Sequence, residues 1–376
     1  MLKDLYVMKV DAKLTNISLD PSSNRVSLSI INGGYDDIAV ANNRYKTQNC
    51  LTNIKRGDVD LSGLQGLTVT ALVDISSYGD ETLLAVFPKS GKNHTLAIEP
   101  SLFKDINNTS IRYYKTSDAY TLNTSSKVEA PFNIYLNLVN VATADTTGRI
   151  ASTVSQYAVQ NGYGGVSTND ILYRFVDTDN NSYYDSLYID NAASFVVGRT
   201  NNTYKEIYRS SNSGVYNSSL SWNSVGTYDL SPLSLDTSDE DVSYTIKDSR
   251  GEELLFEDIN EGDVLTVYMS KEDGYHHYDI VVSTARSVYG TIDETYTEKL
   301  KDSSTYVTYY VIDGEHYRLN RDASSSKLEA GLTGEFMLTD DNKIISYSLD
   351  ARARNFAAAI NVARVSSAFD TGIRAQ

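Results

Sequence analysis

The stretch Phe175–Asp190, FVDTDNNSYYDSLYID, sets Asp177, Asp179, Asn181 and Asp185 at spacings of two, two and four. Alternating carboxylates and amides suit a hard divalent cation. Calcium takes six to eight oxygens at about 2.3–2.6 Å, drawn from carboxylates, amides and backbone carbonyls. If the segment curls, Asp177, Asp179 and Asn181, a carbonyl near Tyr183, and Asp185 converge on one ion. The sixth position, glycine in a helix–loop–helix calcium loop, is Ser182, and the twelfth, glutamate there, is Tyr188. Both flanks, ILYRFV and YDSLYI, alternate as strands do. The pattern reads as a structural calcium site capping a β-hairpin. The plainer reading is a solvated turn, since Asp and Asn are ordinary turn residues.

Other chemistry is sparse. His276 and His277 lie beside Asp273 and Asp279, but neighbours on a strand point to opposite faces and do not share a metal easily. His94 and His316 stand apart from them and from each other. No HExxH, GxSxG, P-loop or GxGxxG pattern occurs. Glycosidase carboxylate pairs carry no signal in a chain with 49 acidic residues. The lone Cys50 excludes an internal disulfide and reads as a buried structural thiol. Trp222, the single tryptophan, sits in the polar, loop-like run SSLSWNSVGT as the one candidate sugar platform. No catalytic residues are assigned, and the chain is read as non-enzymatic.

The elements that must hold such sites are strands. With 376 residues the chain exceeds one ordinary core, and 29 Tyr with only 5 Pro fit extended structure. Apolar stretches are short, alternate, and end in Asn, Asp, Gly or Ser about every 8–12 residues, as in barrels and sandwiches. RVSLSII ends at Asn32-Gly33, a hairpin-turn dipeptide. Two stretches could be helical: Ile150–Val159, and Ala353–Val365, which also alternates as a strand and is taken as one. The Tyr pairs 113–114, 183–184 and 309–310 should each send one ring to either face of a sheet. Net charge is −16 with no basic block, which excludes nucleic-acid binding. No apolar run approaches the ~20 residues of a spanning helix. The start, MLKDLYVMKVDAKL, has no signal-peptide pattern.

An internal repeat organises the chain. The first copy runs VDAKLTNIS, RVSLSIINGGY, LSGLQGLTVTALVDISSYGDETLLAVF; the second runs SVYGTIDET, YVTYYVIDGEHYRL, LEAGLTGEFMLTDDNKIISYSL. Each opens its last hairpin with Gly-Leu-x-Gly, Gly63 to Gly66 and Gly331 to Gly334. The expected fold is all-β, with two or three tandem small barrel or sandwich modules and little helix. The expected divisions are 1–127 (first copy), 128–286 (a central domain bearing the calcium hairpin) and 287–376 (second copy).

The segments DTDNNSYYD (177–185), EGDVLTVYMS (261–270), YGTI (289–292), YVIDGEHYRL (310–319) and GLTGEFMLTDDNKI (331–344) occur in an order that resembles a family region. That region is the uncharacterised β-rich part of bacterial surface proteins that carry S-layer homology domains. The S-layer homology domains themselves are absent from this sequence. The resemblance covers about two thirds of the chain and carries no activity. It implies an extracellular, cell-surface, non-catalytic structural protein that self-associates or joins a larger assembly, with cell-wall glycan as a further partner. A virion structural protein, such as a decoration, tail or fibre subunit, is the alternative. A glycan-binding adhesion module using Trp222 is another.

Overall fold

The computed structural model describes residues 6–20, 23–36, 44–45, 48–61, 63–76, 80–100, 102–114, 122–158, 170–210, 219–222, 226–229, 232–284, 286–299, 306–320, 323, 328–350, 362–367 and 370–375. It is nearly all strand, as the alternation requires.

The first five strands close a barrel. They are β1 (Val7–Ile17), β2 (Arg25–Tyr35), β3 (Cys50–Lys55), β4 (Thr68–Asp74) and β5 (Thr82–Pro88), in the order β1-β2-β3-β5-β4. On β1 the alternation is plain: Met8, Val10, Ala12 and Leu14 point inward and are fully buried, while Lys9, Asp11 and Lys13 lie between them. Such inward stripes are what close a small barrel around side chains.

The central region begins at β6 (His94–Ile98) and continues through β7 (Phe103–Ile106), β8 (Ser110–Tyr114), β9 (Leu122–Leu136) and β10 (Val139–Ala144). A 3-10 turn at Thr147–Arg149 leads into the short helix α1 (Ile150–Val154). Then come β11 (Asp170–Asp177), β12 (Tyr183–Asn201), β13 (Glu206–Arg209), the hairpin β14 (Ser219–Trp222) and β15 (Gly226–Asp229), and β16 (Leu233–Ser234). The region ends with β17 (Val242–Asp248), β18 (Val264–Glu272) and β19 (Tyr275–Ser283). Its backbone is β12, 19 residues long. The first half of β12 pairs with β11 and, in parallel, with β9; the second half pairs with β18. Two cores lie along it: one around Phe132, Phe175 and Leu187, the other around Phe195, Phe256 and Leu265.

A second closed barrel follows, from β20 (Ser287–Lys299), β21 (Tyr306–Ile312), β22 (Glu315–Leu319), β23 (Thr333–Leu338) and β24 (Lys343–Leu349). The hairpin β25 (Val362–Ser367) and β26 (Asp370–Ala375) ends the chain.

The two barrels are copies in detail. Both place four pairings antiparallel and close with one parallel contact, Lys55 beside Thr82 in the first, Arg318 beside Lys343 in the second. Both carry a bulge just after the paired residue Leu14 or Ile292, and another that opposes Leu72–Val73 or Met337–Leu338. The registers make Lys13 equivalent to Thr291, and Thr68 to Thr333. Gly66 is thereby equivalent to Gly331, and both have positive φ, +78° and +90°. Gly66 N–H donates to the Leu14 carbonyl at 2.6 Å, and Gly331 N–H to that of Ile292 at 2.7 Å. The expected repeat therefore holds, but the letter match of Gly63 with Gly331 is three residues out. The hydrogen bond to the first strand, not the Gly-Leu-x-Gly string, sets the equivalence.

Other expectations are corrected. Asn32-Gly33 is no hairpin turn. It lies inside β2 at a wide irregularity, where pairing jumps from Ala12–Ile30 to Val10–Tyr35. A Cβ on the neighbouring Gly34 would meet the Asp11 carbonyl and come within 2.7 Å of the Ile31 carbonyl, so the chain can loop out there only without a side chain. The first division falls near residue 90 rather than 127, because β6 pairs with β11, and β7 and β8 join β9, in the central sheet. The second division falls between Ser283 and Ser287. Cys50 is exposed: on β3 the inward places go to Leu51 and Ile54. The Ile150–Val159 helix is only five residues long, with residue 159 outside the described residues. Of Ala353–Val365, residues 353–361 lie outside them, and the rest is strand.

The Tyr pairs behave as adjacent strand residues should. Tyr114 and Tyr310 are buried beside half-buried Tyr113 and Tyr309, and Tyr183 is exposed beside half-buried Tyr184.

Candidate functional site

The Asp-rich segment is the turn between β11 and β12, with Val176 opposite Ser186 on the antiparallel ladder. The curl exists: Asn180 and Ser182 take φ of +64° and +75°. Ser182 thus adopts the left-handed conformation for which glycine is the usual residue. Asp177, 3% exposed, closes the turn on itself. Its Oδ1 accepts from the amides of Asn180 (2.7 Å) and Asn181 (3.2 Å), and its Oδ2 from that of Ser182 (2.9 Å).

Asp179 lies against Asp177. Burial, then the hydrogen bond and negative charge of Asp177, push the Asp179 carboxyl above its ordinary value. Asn181 spends its amide: Oδ1 accepts from Tyr183 N–H at 2.8 Å, and Nδ2 donates to Asp179 Oδ2 at 3.2 Å and to Glu129 Oε1 at 2.6 Å. Glu129, from β9, is a member of the cluster that spacing along one segment does not reveal. Tyr183 begins β12, with the Lys127 ammonium over its ring.

Asp185 belongs to different company. Its carboxylate accepts from Thr178 Oγ and from Ser186 Oγ (2.8 Å), and faces Lys13 Nζ of the first barrel at 3.7 Å. So Asp177, Asp179 and Asn181 come together with Glu129, while Asp185 ties the hairpin to the barrel. Among the described residues, no three His, Cys, Asp or Glu side chains form a group that could hold a metal.

A cleft of about 640 Å³ runs between the first barrel and the sheet at β17–β19, lined by Arg56, Asp58, Asp60, Ser243, Lys247 and His277 among others. A second hollow of about 270 Å³ adjoins it at Leu138, Thr245 and Lys247. Parallel pairing of β17 with β19 sets Ser243 opposite His277, and Thr245 opposite Asp279. Ser243 Oγ lies 2.8 Å from His277 Nδ1; His277 Nε2 lies 3.3 Å from Asp279 Oδ1, which also accepts from Thr245 Oγ at 2.5 Å. Sequence motifs miss this row because its members come from separate strands.

The row has the order of a nucleophile, base and orienting acid, but Ser243 does not itself bring a pair of converging backbone donors. An oxyanion needs two donors that converge. Ser243 lies within an extended strand, where successive N–H groups point to opposite edges of the ladder. The row is a half-buried polar network on the cleft wall, holding β17 on β19 around the buried His277. His276 and His277 do face opposite sides, as adjacent strand residues must. Trp222 lies on β14, paired with Gly226, and not in a loop; its side chain is outside the described residues.

What the geometry builds most firmly is joints. At the first, Gly66 of the barrel fits beneath Tyr135 and Tyr188, whose rings stack at 4.6 Å and 10°. Tyr188 O–H donates to the Gln65 carbonyl at 2.6 Å. Burial pushes the Tyr135 hydroxyl up to about 12. At the second joint, Ile345 and Met337 of the C-terminal barrel pack on Val196 and Val264. Beside them the Arg318 guanidinium grips Glu99 with both terminal nitrogens, one at 2.6 Å.

No family model, no curated protein and no solved structure matches this chain.

Proposed function

We propose that this chain is a non-catalytic structural protein of an extracellular assembly, an S-layer-like or cell-surface scaffold unit. One observation carries the reading: the modules are locked to one another by buried contacts instead of hanging on linkers. Tyr188 is fully buried against the first barrel and Ile345 against the central sheet. A unit that transmits load or sets lattice spacing needs such fixed geometry, whereas a binding module on a flexible string does not. The acidic surface suits cation-dependent packing of copies.

Calcium enters at one place, the contact of Asp177 with Asp179, where a divalent ion would replace the proton that relieves two neighbouring carboxylates. Light scattering on the purified chain, in millimolar calcium and then in EDTA, tests both parts. Large particles that disperse in EDTA support a cation-tied scaffold. Particles indifferent to EDTA support the scaffold and leave the turn as a hydrogen-bonded cap. A monomer in both conditions contradicts self-assembly.

A further inference from the structure

The equivalence of the barrels singles out a surface. On β24 the bulged residue is Ile345, which is wholly buried because it plugs against Val196 and Val264. The equivalent residue on β5, opposite the same bulge, is Leu84, and it is 47% exposed. Met337, the other apolar member of that plug, corresponds to Leu72, which is half-buried. The rest of the strand sharpens the contrast. Outward on β24 come Ser346 and Ser348; their counterparts on β5 are Ala85 and Phe87, the latter 57% exposed. The uncovered strand is therefore more apolar than the covered one, the reverse of what solvent exposure alone would select.

The charges around β5 are also matched. Lys55 pairs with Asp80, Arg44 with Glu81, and Lys89 with Asp11. On a chain of net charge −16, this is a face where acids are answered locally, so two copies can approach it without the repulsion that operates elsewhere.

We infer that the Leu72–Leu84–Phe87 face of the N-terminal barrel is a docking surface for a second copy of this chain, meeting the same face of its partner about a two-fold axis. The inference deepens the scaffold reading and rests on it. A self-complementary face is the commonest route to a pair, because each residue that gains a contact gains it twice. The patch is small, so the pair forms and separates with concentration instead of being permanent.

Sedimentation equilibrium from micromolar to millimolar chain tests it, using wild type, Leu84→Asp, Phe87→Asp and the control Leu255→Asp. Leu255 is 67% exposed and lies in the central region, outside the barrel's strands. All three positions are outward, so circular dichroism should show the same fold for each variant. The expected result is reversible pairing of the wild type and of Leu255→Asp, weakened tenfold or more in both β5 variants. Pairing that survives in Leu84→Asp and Phe87→Asp overturns this face while leaving the scaffold reading standing. A wild type that stays monomeric throughout overturns both.

Discussion

In the N-terminal barrel, Gly66 lies beneath two stacked tyrosines; its counterpart Gly331 has no atom of the described residues near enough to meet a Cβ. At the bulged strand the situation reverses: Ile345 is buried against the central sheet and Leu84 is bare. One fold, repeated, is thus fastened once by its glycine corner and once by its bulge. The two corners exist in both copies because strand order, bulges and the positive-φ glycine are needed to close the barrel at all. Which corner docks is decided by what faces it, and that is a matter of a few side chains.

The sharpest way to break the comparison is at the glycines. In Gly66→Ala the new Cβ would enter the Tyr135 ring and come within 2.6 Å of the Tyr188 hydroxyl, at a φ that alanine resists. We expect a loss of about 3 kcal/mol, combining overpacking with backbone strain. Gly331→Ala meets only the strain, about 1 kcal/mol. Urea unfolding of the two variants measures the difference, and equal losses would mean that the tyrosine joint does not form.

Next come the bulges. Ile345→Ala empties a buried site and should cost about 2 kcal/mol or more, whereas Leu84→Ala, in solvent, should stay within about 0.5 kcal/mol at a dilution where the chain is a monomer. Matching values in denaturant titrations would erase the distinction between docked and free corners.

The mildest effect is on pH. Burial opposes ionisation of Glu99, but the Arg318 hydrogen bonds and charge outweigh it and hold the carboxyl below its ordinary 4.5. A carboxyl depressed on folding contributes stability that is complete above its unfolded value and is lost as pH falls through the folded one. The joint to the C-terminal barrel should therefore weaken as pH drops below about 4.5, and Glu99→Gln should flatten that part of the stability profile. A variant profile that falls as steeply as the wild type's would remove Glu99 from the account.

Much of this was legible in the sequence, and the failures share a cause. Alternation along β1 or β4, and the Asp313-Gly314 turn between β21 and β22, are local, so the all-β fold and the repeat could be read directly. Asn32-Gly33 carries the same letters as a hairpin turn, but Gly34 beside it must approach the Asp11 backbone, a contact with another strand. Cys50 looks like a core thiol until β3 is seen to face Leu51 and Ile54 inward. In the Asp-rich turn, the local contacts of Asp177, Asp179 and Asn181 follow from their spacing. Glu129, and Lys13 opposite Asp185, arrive from strands far along the chain. Glu99 and Arg318, 219 residues apart, lie beyond any pattern in a single sequence.

Both barrels are fixed to the middle of the chain by buried contacts. Spin labels on the native, exposed Cys50 and on an introduced cysteine in Glu335→Cys, an outward position of the second barrel, would report it by pulsed electron resonance. Fixed barrels should give one narrow distance distribution that broadens when Ile345→Ala is added. A broad distribution in the otherwise native chain would show barrels moving on linkers, and would contradict the fixed geometry on which the scaffold reading stands.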